Sequence, residues 1–299
     1  MSGRLRVEGD ALVIDGAAPH VDGAPGPTGN HANAVAGFAP PFTVALAAGN
    51  DAGATVQAWI EQFRGDPSLK DAFTQIDQAI GLVGGWDGLL GWMGDTGIVV
   101  ATAGDGIEGG LVSIPTDAAK AKQLFTTLRS AITLGGGQLG FAVRDETYNG
   151  QTITVIDLGS IKDLAGLAGG TSGTEVPTTG LPEGNAELAY AVTDTVVVIG
   201  SSPDFVKHVL DAGAGDSLAD TERYKTLVAK VAAEHTGVTF VDVSAVRTHL
   251  ETMLAKAPAA DKAEYEESVK PFLTPFDAFV AAGVTSNDLE HQHSRLTVK

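Results

Sequence analysis

The chain has 299 residues, 19 Lys+Arg against 37 Asp+Glu for a formal net charge of -18, no cysteine, and 43% hydrophobic residues. The lack of cysteine excludes a disulfide scaffold, a thiolate zinc site, an iron–sulfur cluster and a cysteine nucleophile. The acidic balance offers no footprint for DNA, RNA or an anionic membrane, and the apolar content predicts a folded protein of one large domain or two small ones.

Residues 4–15 read as two short strands around Glu8-Gly9-Asp10, a hairpin turn signal. From Gly16 to Pro41 the composition shifts to Gly, Pro, Ala and Asn, an irregular connection. Residues 1–41 are therefore set apart from a main domain at 42–299. Phe42–Ala48 is a strand. Helical patterns follow over about 52–64 and through Leu69, Phe73, Ile76 and Ile80. Ile98–Ala103 and Leu111–Ile114 are strands around Gly104-Asp105-Gly106. Thr116 is placed to cap the next helix, whose Ala121, Leu124, Phe125, Leu128 and Ile132 form one stripe, with Lys120, Lys122 and Arg129 on the other side. That helix is expected to end at Gly135-Gly136-Gly137. Phe141–Glu146 and Gln151–Leu158 pair around Asn149-Gly150, the strongest short hairpin signal.

Residues 159–186 hold seven glycines and two prolines and read as a long loop or a half-domain boundary. Leu188, Tyr190 and Val192 then alternate, a turn falls at Thr193-Asp194, and Val196–Ile199 is a buried run. Ser202-Pro203 opens a helix, and Ser217 with Asp220 fits a capping box before Tyr224, Leu227, Val228 and Val231. Val238–Val243 is a strand, about 245–255 a helix, and 261–270 a charged helix stopped by Pro271. Strands over about 277–285 and 289–298 flank Ser286-Asn287-Asp288. Tight hairpins make antiparallel pairs, so the expected class is α+β: an antiparallel sheet built from hairpins, with helices mainly on one face.

Chemistry is sparse. No phosphate loop, nucleophile elbow, zinc-protease helix or EF-hand occurs, and Gly104–Gly110 lies between strands, where it reads as a turn. His291 and His293 share a strand face and, with Glu290 or Asp288, could begin a metal site, but no third ligand has recognisable spacing. A solvated face is the simpler reading, and neither metal nor cofactor is expected. His20, His31, His208, His235 and His249 show no partner in the sequence. Trp86 and Trp92, flanked by Asp87 and Asp95, are either an aromatic ligand shelf or, more simply, a glycine-punctuated helix packing its tryptophans into the core. No catalytic residue can be named and no ligand site located.

Three segments carry a family resemblance. Trp92-Met-Gly-Asp-Thr-Gly-Ile-Val-Val-Ala101 resembles a Trp-x-Gly-Asp entry into a central strand, and Asp117–Phe125 is similar to the helix after the first hairpin. Val196–Leu210, Ser217–Tyr224 and Val238–Val246 look like the second half. The family is a functionally uncharacterised group of bacterial envelope proteins, mainly from actinobacteria and chloroflexi, catalogued as a domain of unknown function. The resemblance implies an extracytoplasmic protein tethered by an upstream membrane segment, although neither a signal peptide nor a span can be read here: Ile80–Thr102, the most apolar stretch, carries Asp87 and Asp95. The opening hairpin parallels the closing one. It either completes an upstream half of a longer protein or adds to the edge of the main sheet. The expected role is a non-enzymatic envelope binding or scaffolding protein with unknown partners. A carrier of a lipid or other apolar ligand between sheet and helices, or a hydrolase whose site assembles only in three dimensions, are the alternatives.

Overall fold

The structure is a computed structural model that describes residues 2–19, 29–104, 106–135, 140–160, 184–287 and 289–299. Hairpin turns dominate its local structure. Asn149 and Gly150 both take positive φ (48° and 78°), the conformation a two-residue turn needs, so that Tyr148 and Gln151 face each other. The strands are β1 (Ser2–Glu8), β2 (Ala11–Pro19), β3 (Thr43–Gly49), β4 (Met93–Ala103), β5 (Gly106–Pro115) and β6 (Ala142–Tyr148). They continue as β7 (Gln151–Ser160), β8 (Asn185–Val192), β9 (Val197–Gly200), β10 (Gly237–Val241), β11 (Phe276–Ser286) and β12 (Leu289–Val298). All join one antiparallel sheet in the order β1-β2-β12-β11-β10-β3-β4-β5-β9-β8-β7-β6. The α+β class and the hairpin-built antiparallel sheet are therefore present. Of the segment 159–186, Gly159 and Ser160 end β7 and Asn185 and Ala186 begin β8, which are paired neighbours; 161–183 lie outside the described residues.

The helices are α1 (Ala52–Arg64), α2 (Lys70–Ile80), α3 (Gly85–Leu90), α4 (Ala118–Gly135), α5 (Pro203–Ala212), α6 (Glu222–Ala229), α7 (Val243–Leu254), α8 (Ala259–Glu264) and α9 (Lys270–Leu273). They are divided between the two faces of the sheet. On β9, successive residues point to opposite sides. Val198 joins a core with Phe205, Val206 and Val209 of α5 and Tyr224, Leu227 and Val228 of α6. Val197 joins a second core with Ala121, Leu124 and Phe125 of α4, and with Trp92. The unbroken run Val196–Ile199 is the signature of a strand covered twice. The expectation of helices mainly on one face therefore needs α4 placed on the other.

Several local expectations shift by a few residues for physical reasons. Asp117, not Thr116, caps α4, accepting from the Lys120 amide at 2.9 Å, because the Thr116 hydroxyl is spent on the Trp92 carbonyl at 3.1 Å. Leu128 of the predicted stripe is 36% exposed. β4 begins five residues earlier than its apolar run, since glycine is required there: a Cβ on Gly97 would stand 2.8 Å from that of Ala48. Pro271 does not stop the last helix but sits in the first turn of α9, where its missing N–H is tolerated after the wide π-turn at Tyr265–Val269. The capping residues Ser202 and Ser217–Asp220 form the bonds expected of them.

The Gly/Pro-rich connection is less irregular than its composition suggests. Its start belongs to β2, and Ala34–Gly37 is a short 3-10 turn that buries Val35 and Ala36 in the larger core. β2 pairs with β12, so the opening hairpin extends the main sheet.

Candidate functional site

A cleft of about 370 Å³ lies between α4 and the strands β6–β8. Register builds its floor. Asp145, Thr154 and Tyr190 stand directly opposite one another on these three neighbouring strands, so their side chains form one polar row. Thr154 donates to Asp145 Oδ1 at 3.0 Å and faces Tyr190 across the β7–β8 ladder. Burial pushes the Tyr190 phenol up from its ordinary value, so it remains a neutral hydroxyl. Its ring packs on Phe125, centroids 5.0 Å apart.

Helical spacing builds the other wall. Lys122, Thr126, Arg129 and Ser130 recur at three- and four-residue steps and so face the cleft together. Arg129 donates from Nη2 to Asp145 Oδ2 at 2.7 Å, which leaves most of the guanidinium fork for another acceptor. Lys122 holds Asp194 at 2.6 Å. The Thr126 and Ser130 hydroxyls donate back to the Lys122 and Thr126 carbonyls and keep their lone pairs for the cleft. Two cations and one carboxylate line it, and Asp194 at its edge compensates Lys122, so the charges there balance pairwise.

A second polar cluster is buried where β3, β4 and β10 meet the connection. Asp95, from the Trp-x-Gly-Asp segment, accepts from the Ala34 amide at 2.8 Å and holds His31 Nε2 at 2.9 Å. Asn50 accepts from Asn33 at 2.8 Å and donates to the carbonyls of Gly29, His31 and His235. These bonds serve backbone that has little regular structure of its own, so the cluster is a clamp on the connection. His31 and His235 pair as an isolated bridge. The His235 ring, 2% exposed, has no hydrogen-bond partner for either nitrogen among the described residues, and burial holds its pKa below the ordinary value.

The other residues singled out from sequence fall as follows. His291 and His293 stack in parallel, centroids 6.3 Å apart, but His293 is bound to Asp15 at 2.9 Å. No group of three or more His, Asp or Glu side chains among the described residues is placed to hold a metal ion. His208 lies on the buried Glu108 at 2.6 Å. Among the described residues, neither the His31–Asp95 nor the His208–Glu108 pair has a hydroxyl hydrogen-bonded to its outer ring nitrogen. His249 is buried, and His20 and Asp288 lie outside the described residues. Trp92 is buried against Phe125 at 6.0 Å, and Trp86 donates to Asp77 at 2.7 Å, so the two do not form a shared shelf. Asp87 pairs with Lys120 at the surface. Sequence reasoning missed Asp145, Thr154 and Tyr190. Its one usable signal was the Asn149-Gly150 turn, which fixes the register of β6 on β7.

A family model described as a protein of unknown function (DUF3352) matches residues 7–299. The chain belongs to that family. Residues 7–299 take in both the α4 cleft and the Asp95 clamp. No curated protein and no solved structure matches the chain. Among the described residues, no helix is long and apolar enough to cross a membrane.

Proposed function

We propose that this DUF3352 protein is a non-enzymatic binding protein of the cell envelope that holds a small hydroxylated anion, of the uronic acid type, in the cleft beneath α4. The observation that carries the reading is the polar row Asp145–Thr154–Tyr190 under the partly committed Arg129. A sugar ring needs closely spaced donors and acceptors, which the row and the Thr126 and Ser130 oxygens supply. A carboxylate needs a fork of N–H groups, which Arg129 supplies. Arg129 is paired with Asp145 and Lys122 with Asp194, an arrangement suited to holding rather than transforming a ligand. A polar floor fits an apolar lipid poorly, which sets the carrier reading below this one. The envelope assignment rests on the family resemblance of the Trp92–Ala101 and Val196–Leu210 segments.

Calorimetric titration of the full chain with glucuronate and with glucose tests the reading. Saturable glucuronate binding is expected, weakened about tenfold by Arg129→Gln, the scale of one charge-assisted hydrogen bond. Glucose should bind less tightly. No binding of either sugar, or binding indifferent to Arg129→Gln, would overturn the assignment.

A further inference from the structure

The two edges of the sheet differ. β6 carries Arg144, Asp145 and Glu146, fixed in ion pairs with Glu187, Arg129 and Lys207, a charged edge that resists further strands. β1 is charged on one face only, where Arg6 pairs with Glu8 and Asp15, and its other face carries Leu5 and Val7. It runs seven residues without proline or bulge, and among the described residues no strand borders its outer side. Its register on β2 sets Leu5 opposite Ile14 and Val7 opposite Leu12, four aliphatic side chains on one face. They are 69%, 53%, 73% and 37% exposed in that order. A contiguous apolar patch beside an unpaired edge marks an interaction surface.

From this edge we infer that β1 pairs with β1 of a second copy of the chain, antiparallel, so that two sheets continue into one. The sequence of the strand selects the register. Centring the pair on Leu5 would set Arg4 against Arg6 of the other copy, which is repulsive. Centring it on Arg6 sets Leu5 opposite Val7 and Arg4 opposite Glu8, each twice by symmetry. The two Arg6 side chains that meet at the axis are already neutralised, each held by Glu8 and Asp15 of its own copy. The same surface serves both copies, so the contact closes at two and does not propagate.

Sedimentation of the full chain decides it. A species of twice the 30.5 kDa chain mass is expected at tens of micromolar, dissociating on dilution. Val7→Lys should give monomer with an unchanged melting temperature, since Val7 packs on little within one copy. Arg4→Glu should weaken the dimer about tenfold by opposing two acids, and adding Glu8→Lys should restore it. Monomer at about 200 µM, a dimer indifferent to Val7→Lys, or no restoration by the double variant would each overturn the inference.

Discussion

His235 shows how a single buried side chain sets a pH dependence. Its pKa in the fold lies below the ordinary 6.5, because burial disfavours the charged ring and neighbouring His31 adds to that. The unfolded chain takes up the proton first as pH falls through about 6.5, so this contribution favours folding above that pH and weakens it below. Urea unfolding midpoints should therefore drop between pH 7.5 and 5.5, and His235→Asn should flatten that drop. An unchanged slope in the variant would show that the ring is not held neutral. Histidines as a class illustrate what a sequence hides: His31, His208 and His293 lie on Asp95, Glu108 and Asp15, partners 64, 100 and 278 residues away. No spacing rule reaches that far, because such pairs are made by neighbours in space: His293 faces Asp15 across β12 and β2, His208 of α5 reaches Glu108 of β5, and His31 of the connection reaches Asp95 of β4.

α4 marks both the success and the limit of reading elements from periodicity. Its apolar stripe identified the helix and its inner residues Ala121, Leu124 and Phe125, but it could not say which face of the sheet receives them. That depends on whether β7–β9 are covered once or twice, and a run such as Val196–Ile199 becomes informative only when both of its alternating sides are assigned to a layer. Leu128 lies toward the rim, so packing grades along the stripe. Leu124→Ala should cost about 2–5 kcal/mol, a buried large-to-small change. Leu128→Ala should cost about 1 kcal/mol or less, since much of that side chain is already in water. Equal losses in thermal or urea unfolding would contradict the docking of α4. Hairpins were the most legible elements, because Asn149-Gly150 is local chemistry. The polar row of the cleft was not legible, because it crosses three strands, only two of which are joined by a tight turn.

For the molecule as a whole, stability should not depend on a metal ion. Among the described residues, no grouping of His, Asp and Glu side chains supplies three ligands at one point. EDTA should therefore leave the melting temperature unchanged, and a drop of several degrees restored by zinc would contradict this. The pairing order has a further consequence, in time. β3 lies mid-sheet between β4, which follows it soon, and β10, which begins at Gly237, 188 residues after β3 ends at Gly49 (237 − 49). At about 5–20 residues per second of synthesis, β3 waits on the order of ten to forty seconds for its second neighbour. During that interval its open side can template any extended segment nearby, including the same strand of another nascent chain, so a strand that is interior to the finished sheet is vulnerable while the chain is being made.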